Sequence, residues 1–166
     1  MATTATPMGA EPTDTLSASG SFTGKVRHIK IASAYGTAIF YGDFVKLVAA
    51  GTVEKAAVTT AVAAGTVGIF VGCTYTDPNS SQMTFNQQWP ASTTASDAYA
   101  YVVDDPKLLF RMQGDEAIAQ TGLGNNVSAV STAGSTSIGR SKNALDGGSI
   151  ATTNSLPLRI VDFVDG

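Results

Sequence analysis

The sequence predicts a mainly β protein, one domain with a single short helix and a flexible N-terminal arm. Apolar residues alternate with polar ones in short runs that Gly, Pro, Asn and Asp interrupt. Charged residues are only 14% of the chain, and Ala, Thr, Gly, Ser and Val supply much of the rest. One stretch alone carries the start and stop signals of a helix.

Residues 1–24 are Ala, Thr, Ser, Pro and Gly with isolated acids. Such a composition cannot bury enough apolar surface to pack by itself, so it reads as a loose arm before a single domain spanning residues 25–166. Alternation begins at Lys25 and runs through Arg27, Ile29 and Ile31 to a turn at Gly36. Residues 37–41 are β-branched and aromatic, Gly42 and Asp43 punctuate them, and FVKLV resumes the strand period at Phe44. The segment 53–62 has enough Ala for helix, but its Val and Thr and the flanking Gly51 and Gly65 favour strands.

The run from Val67 to Val71 reads as a buried strand that continues through Thr76. Asp77, Pro78, Asn79 and Ser80 follow as an Asx-type turn. A strand from Met83 to Trp89 stops at Pro90, AYAYVV follows at 98–103, and LLFRMQ begins at Leu108. Residues 115–121 open on Asp115 and Glu116 and close on Gly122, the pattern of a short helix. Residues 124–148 are Asn, Ser, Thr and Gly with scattered apolars and read as a polar surface or contact loop. LPLRIVDFV at 156–164 predicts a last strong strand.

At 166 residues the chain suits one domain with one sizeable core. A net charge of −3, a pI near 4.9 and ten scattered basic residues argue against a nucleic-acid partner. Cys73 is the only cysteine, which leaves no intramolecular disulfide, and its apolar neighbours predict a buried thiol. The N-terminus lacks the basic and apolar regions of a secretory signal, and no run approaches 18 apolar residues, so synthesis in the cytoplasm and no membrane partner are expected.

Chemistry that needs converging His, Cys, Asp or Glu finds few candidates, because His28 is the only histidine and no G-x-S-x-G turn presents a serine. Asp104 with Asp105 and Asp115 with Glu116 are carboxylate pairs that fit turn and cap roles better than a glycosidase dyad or a calcium loop. TGLGNN lacks the lysine and the third glycine of phosphate-binding loops. No catalytic, cofactor-binding or metal-ligating residue is therefore assigned. Most aromatics fall inside strands and read as core. Trp89, in the polar stretch NQQWPAS, is instead a candidate subunit contact, since tryptophan is enriched at interface centres, although core packing is its default.

The segments GDFVKL, GIFVGCTYTDPNSSQ, WPAST, DAYAYVVDDP, IAQTGLGNN and LPLRIVDFV together resemble the capsid decoration, or cement, proteins of tailed bacteriophages, over about residues 25–164. The resemblance implies a β-barrel or tulip-like fold, often trimeric, on the outer capsid surface, with the major capsid protein as partner. It also implies an N-terminal arm that orders against the shell. Thr3, Thr4, Thr6, Met8, Leu16 and Phe22 are the arm side chains available for that contact, and removing the arm is expected to leave a folded protein. The alternative is a virion head-fibre or receptor module that binds carbohydrate through an exposed Trp89 and Asn-rich loops.

Overall fold

The computed structural model describes residues 6–16, 24–59 and 65–164. It is mainly β, with strands β1 (Glu11–Thr15), β2 (Arg27–Lys30), β3 (Ile39–Phe40), β4 (Phe44–Leu47), β5 (Val53–Lys55), β6 (Thr66–Thr76) and β7 (Met83–Asn86). These are followed by β8 (Gln88–Trp89), β9 (Tyr99–Val103), β10 (Leu108–Arg111), β11 (Asn126–Val130), β12 (Ala144–Ala151) and β13 (Leu158–Arg159).

The largest sheet runs β2-β9-β6-β4-β5, with β7 against the far half of β6. Its centre is β6, whose β-branched and aromatic residues suit a strand buried on both faces as far as Gly72. An isolated parallel bridge between Ile31 and Val53 brings the two ends of this path together. A single bridge makes no ladder, so among the described residues the sheet curls without closing, and the expected barrel is corrected to an open, curled sheet. Inside the curl lies the main core, with Ile31, Ile39, Val45, Val53, Phe70, Cys73, Tyr75 and Trp89.

A register shift between Phe70 and Gly72 against β9 explains how one strand serves two cores. The extra residue lets Phe70 and Cys73, three apart, face the same interior. On the other face, Ile69 and Val71 meet a second cluster with Ala10, Phe44, Ala56, Val58 and Ala129, which Leu108, Phe110 and Leu158 border. That cluster is roofed by β1 paired with β10 and by the sheet β12-β11-β13. Beyond Gly72 the outer face of the large sheet has no such cover.

Several expectations are revised by long-range pairing. Residues 115–121 form no α-helix: only a single 3-10 turn occurs, at Gln120–Gly122, and the Asp115 carboxylate instead accepts the Gly147 N–H at 3.0 Å. The polar stretch 124–148 is not a loop throughout, since it contains β11 and the start of β12, joined by Ser128 N–H to Ser149 Oγ at 2.9 Å. The last strand shrinks to Leu158–Arg159, after which Ile160 ties to Asn125 and Gly124 through backbone bonds. The Asx turn is found as expected, with Asn79 N–H on the Asp77 carboxylate at 2.8 Å.

Part of the arm is also built into the domain. β1 pairs with β10, and Ala10 donates to the Gly42 carbonyl at 2.9 Å. The chains cross closely here because both positions are glycine. A Cβ on Gly9 would sit 2.5 Å from Ser141 Cβ, and one on Gly42 would sit 2.9 Å from the Met8 carbonyl, with both residues at positive φ.

Candidate functional site: two exposed apolar surfaces and a buried polar cluster

The first surface is a half-open groove of about 980 Å³ between the N-terminal segment, β10 and the C-terminal segment. β1 and β10 both line it, and Glu11 holds the pair by an ion pair to Arg111 at 2.7 Å. Met8 and Leu16, 48% and 60% exposed, stand on the N-terminal side. Val161 and Val164 stand exposed on the other. Thr6 lines the same groove. Three of the six arm residues singled out by sequence, Thr6, Met8 and Leu16, therefore converge, whereas Thr3, Thr4 and Phe22 lie outside the described residues.

The second surface is the uncovered part of the large sheet. Residues directly opposite in antiparallel strands project to the same side, and Thr74 lies opposite both Phe85 and Tyr99, Thr76 opposite Met83, and His28 opposite Tyr101. The outcome is one face carrying Met83 and Phe85, 79% and 64% exposed, with Tyr99, Tyr101 and His28 beside them. Tyr101 joins the row, its ring centroid 5.5 Å from Phe85 and 4.4 Å edge-on from His28. Phe85 lies across Gly72, where a Cβ would come within 3.1 Å of its ring. At the end of this face the Asp97 carboxylate accepts the Thr76 hydroxyl at 2.6 Å and its N–H at 3.2 Å, which holds its pKa below the ordinary value. Sequence alternation alone placed these aromatics in the core. A signal was available in MTFN, where Met83 and Phe85 alternate with Thr84 and Asn86 on an edge strand next to Pro78 and Asn79 turn chemistry.

Trp89 does not contribute to either surface. It is fully buried in β8, its indole N–H donates to the Tyr35 carbonyl at 3.3 Å, and its ring meets Tyr75 edge-on at 5.4 Å. Its candidacy as a subunit contact is corrected on this ground: the ring has no surface to offer, and the polar neighbours that suggested a loop belong to the pairing of β8 with β3.

Beneath the crossing of residues 9 and 42 lies a buried polar cluster. Asp43, completely buried at the turn before β4, accepts from Phe40 N–H at 2.9 Å, Ser141 Oγ at 2.7 Å and Asn143 Nδ2 at 3.1 Å. Lys55 Nζ from β5 completes its shell at 3.0 Å. A buried carboxylate is tolerated when paired and fully hydrogen-bonded, as here. Asn143 in turn accepts the Thr132 N–H at 3.0 Å. Of the adjacent carboxylates singled out in the sequence, Asp104 pairs with Arg27 and Asp105 accepts the Lys107 N–H at 2.8 Å, both local structural roles. Among the described residues no three of His, Cys, Asp and Glu gather as a metal site would require. Burial pushes the Cys73 thiol up to about 12. No helix among the described residues is long and apolar enough to cross a membrane.

No protein-family model, no curated protein and no solved structure matches this chain.

Proposed function

We propose that this protein is a non-enzymatic structural component of a phage virion, one that binds the outer capsid surface and cements the lattice of the major capsid protein. The observation that carries the reading is the groove, where Met8, Leu16, Val161 and Val164 expose large apolar side chains along one half-open trough. Contiguous exposed apolar surface of this kind marks contact sites on proteins. The groove combines the N-terminal segment with strand β10, so a capsid loop or strand laid into it gains apolar burial and backbone pairing together. The aromatic face around Phe85 is a second, separate surface, which suits self-association into the trimer expected on a three-fold lattice. Repetition of such contacts around a shell adds their strengths through multivalency. Neither nucleic acid nor a membrane is a partner in this reading.

The carbohydrate-binding alternative predicts an exposed Trp89, and that side chain is in the core. The test is co-sedimentation of purified protein with expanded capsids of the source phage. Parent protein should bind saturably, and Met8→Asp with Leu16→Asp should abolish binding while leaving the far-UV circular dichroism spectrum unchanged. Absence of saturable binding by the parent, or full binding by the folded double variant, refutes the reading.

A further inference from the structure

We propose that Lys55 and Asn143 become joined by an intramolecular isopeptide bond, formed by the protein itself with Asp43 as the proton-transfer group. The Asp43 carboxylate holds both partners at once, Lys55 Nζ at 3.0 Å on Oδ2 and Asn143 Nδ2 at 3.1 Å on Oδ1. Amine and carboxamide are thereby brought to opposite oxygens of one group. Reaction needs the components placed together and shielded from water. Asp43 and Asn143 are buried, and the Lys55 side chain is only 14% exposed, with its Nζ 5.8 Å from the centroid of the Phe40 ring.

The remaining contacts match what acyl transfer requires. The Thr132 N–H donates to Asn143 Oδ1 at 3.0 Å, where negative charge develops when the carbonyl carbon is attacked. The Ser141 hydroxyl donates to Asp43 Oδ1 at 2.7 Å and accepts the Asn143 N–H at 3.1 Å, which fixes the carboxylate and the asparagine backbone relative to each other. Ser141 is itself held by its backbone N–H on the Tyr41 carbonyl at 2.9 Å.

The step balances without any other reactant. Lys55 Nζ gives a proton to Asp43 and the free amine adds to Cγ of Asn143. Asp43 passes that proton to Nδ2 and takes a second from the attacking nitrogen, the Cγ–Nδ2 bond breaks, and ammonia leaves. Of the three ammonium protons, one stays on the new amide, one departs with ammonia and one remains on Asp43. Nothing is oxidised or reduced. The bond would tie β5 to the segment before β12, closing a covalent loop of roughly 90 residues across the two cores, which restricts the unfolded chain.

Intact-mass measurement of the purified, full chain tests this directly. The parent should fall below its sequence mass, after any N-terminal processing, by one ammonia, about 17 Da. Tryptic digestion should yield one branched peptide in which residue 55 is uncleaved and linked to residue 143. Lys55→Arg and Asp43→Asn should each return the full mass. A parent protein at full mass refutes the proposal whatever the variants do. So does a loss of ammonia without a linked peptide, since deamidation through a cyclic imide would explain it. The outcome is independent of what the exposed surfaces bind.

Discussion

Replacing Trp89 with Ala separates the two roles that this residue can have. The indole is completely buried in the main core against Tyr75, so its removal deletes apolar burial and leaves a cavity that the curled sheet can only partly close. Truncations of this kind cost about 3–5 kcal/mol. The lost hydrogen bond adds little, because the Tyr35 carbonyl also accepts the Ser92 N–H at 2.8 Å and so keeps a partner. In a domain of this length each kcal/mol moves the melting temperature by about 2–4 °C, so Tm should fall by about 6–20 °C. Thermal and urea unfolding, both followed by far-UV circular dichroism, are the suitable assays, since the variant has no tryptophan left to report. Phe85→Ala, at an exposed position on the outer face, should stay within about 0.5 kcal/mol of the parent. If Trp89→Ala unfolds at the parent midpoint and instead sediments as a smaller species, the ring belongs to a subunit contact and the packing described here is wrong.

Gly68→Ala should destabilise by at least about 2 kcal/mol in the same assay, because a Cβ there would lie 2.0 Å from the Val103 carbonyl oxygen in the central pairing of β6 with β9. An unchanged urea midpoint would contradict that register. The Cys73 thiol should resist Ellman's reagent at pH 8 in the folded protein and react on unfolding. Its raised pKa also fixes a sign: the unfolded chain releases the proton near 9.0 while the native state holds it to about 12, so stability declines as pH rises above 9. The slope approaches about 1.4 kcal/mol per pH unit, and Cys73→Ala should flatten it. Deleting residues 1–16 should lower the unfolding midpoint, because Ala10 and β1 cover the second core; a truncated protein as stable as the parent would show that this segment is only an appendage.

The strands that were legible in the sequence are those whose own residues bury them. TVGIFVGCTYT, YAYVV and LLFR carry β-branched and aromatic side chains at strand period, and Asp77 announces its turn through its own carboxylate. What was not legible depends on partners far away in the chain. β12, ALDGGSIA, has no apolar period and is a strand because Ser128 and Val130 of β11 accept it. The acids of residues 115–116 resemble a helix start, yet Asp115 spends its carboxylate on Gly147, 32 positions later. Gly42 and Asp43 looked like turn punctuation, which is true of the backbone; two of the side chain's four ligands, Ser141 and Asn143, stand 98 and 100 positions away, where no local pattern could reveal them. Exposure failed in the same manner: alternation places Phe85 and Tyr99 on one face but does not say whether anything covers that face.

The scarcity of charge takes on a different meaning once the pairs are located. The Glu11 carboxylate lies 2.7 Å from Arg111 and 3.9 Å from Arg140, Arg27 pairs with Asp104, and Lys55 with Asp43. Arg140 also lies over the Tyr41 ring at 4.9 Å. The Glu11 and Lys55 pairs converge where the N-terminal segment, the turn at Gly42 and the segment from Gly139 to Asn143 cross. Of the charges outside these pairs, Glu116, Arg159 and Asp162 line the groove, so a partner laid into it meets charged groups as well as the apolar side chains of Met8, Leu16, Val161 and Val164. The ion pairs thus divide between the internal crossing, where Lys55 meets Asp43, and the lining of the groove, where Glu11 meets Arg111. The same division makes point substitution at Met8 and Leu16, rather than truncation, the informative perturbation of binding, since truncation would also remove Glu11 and uncover the core beneath Ala10.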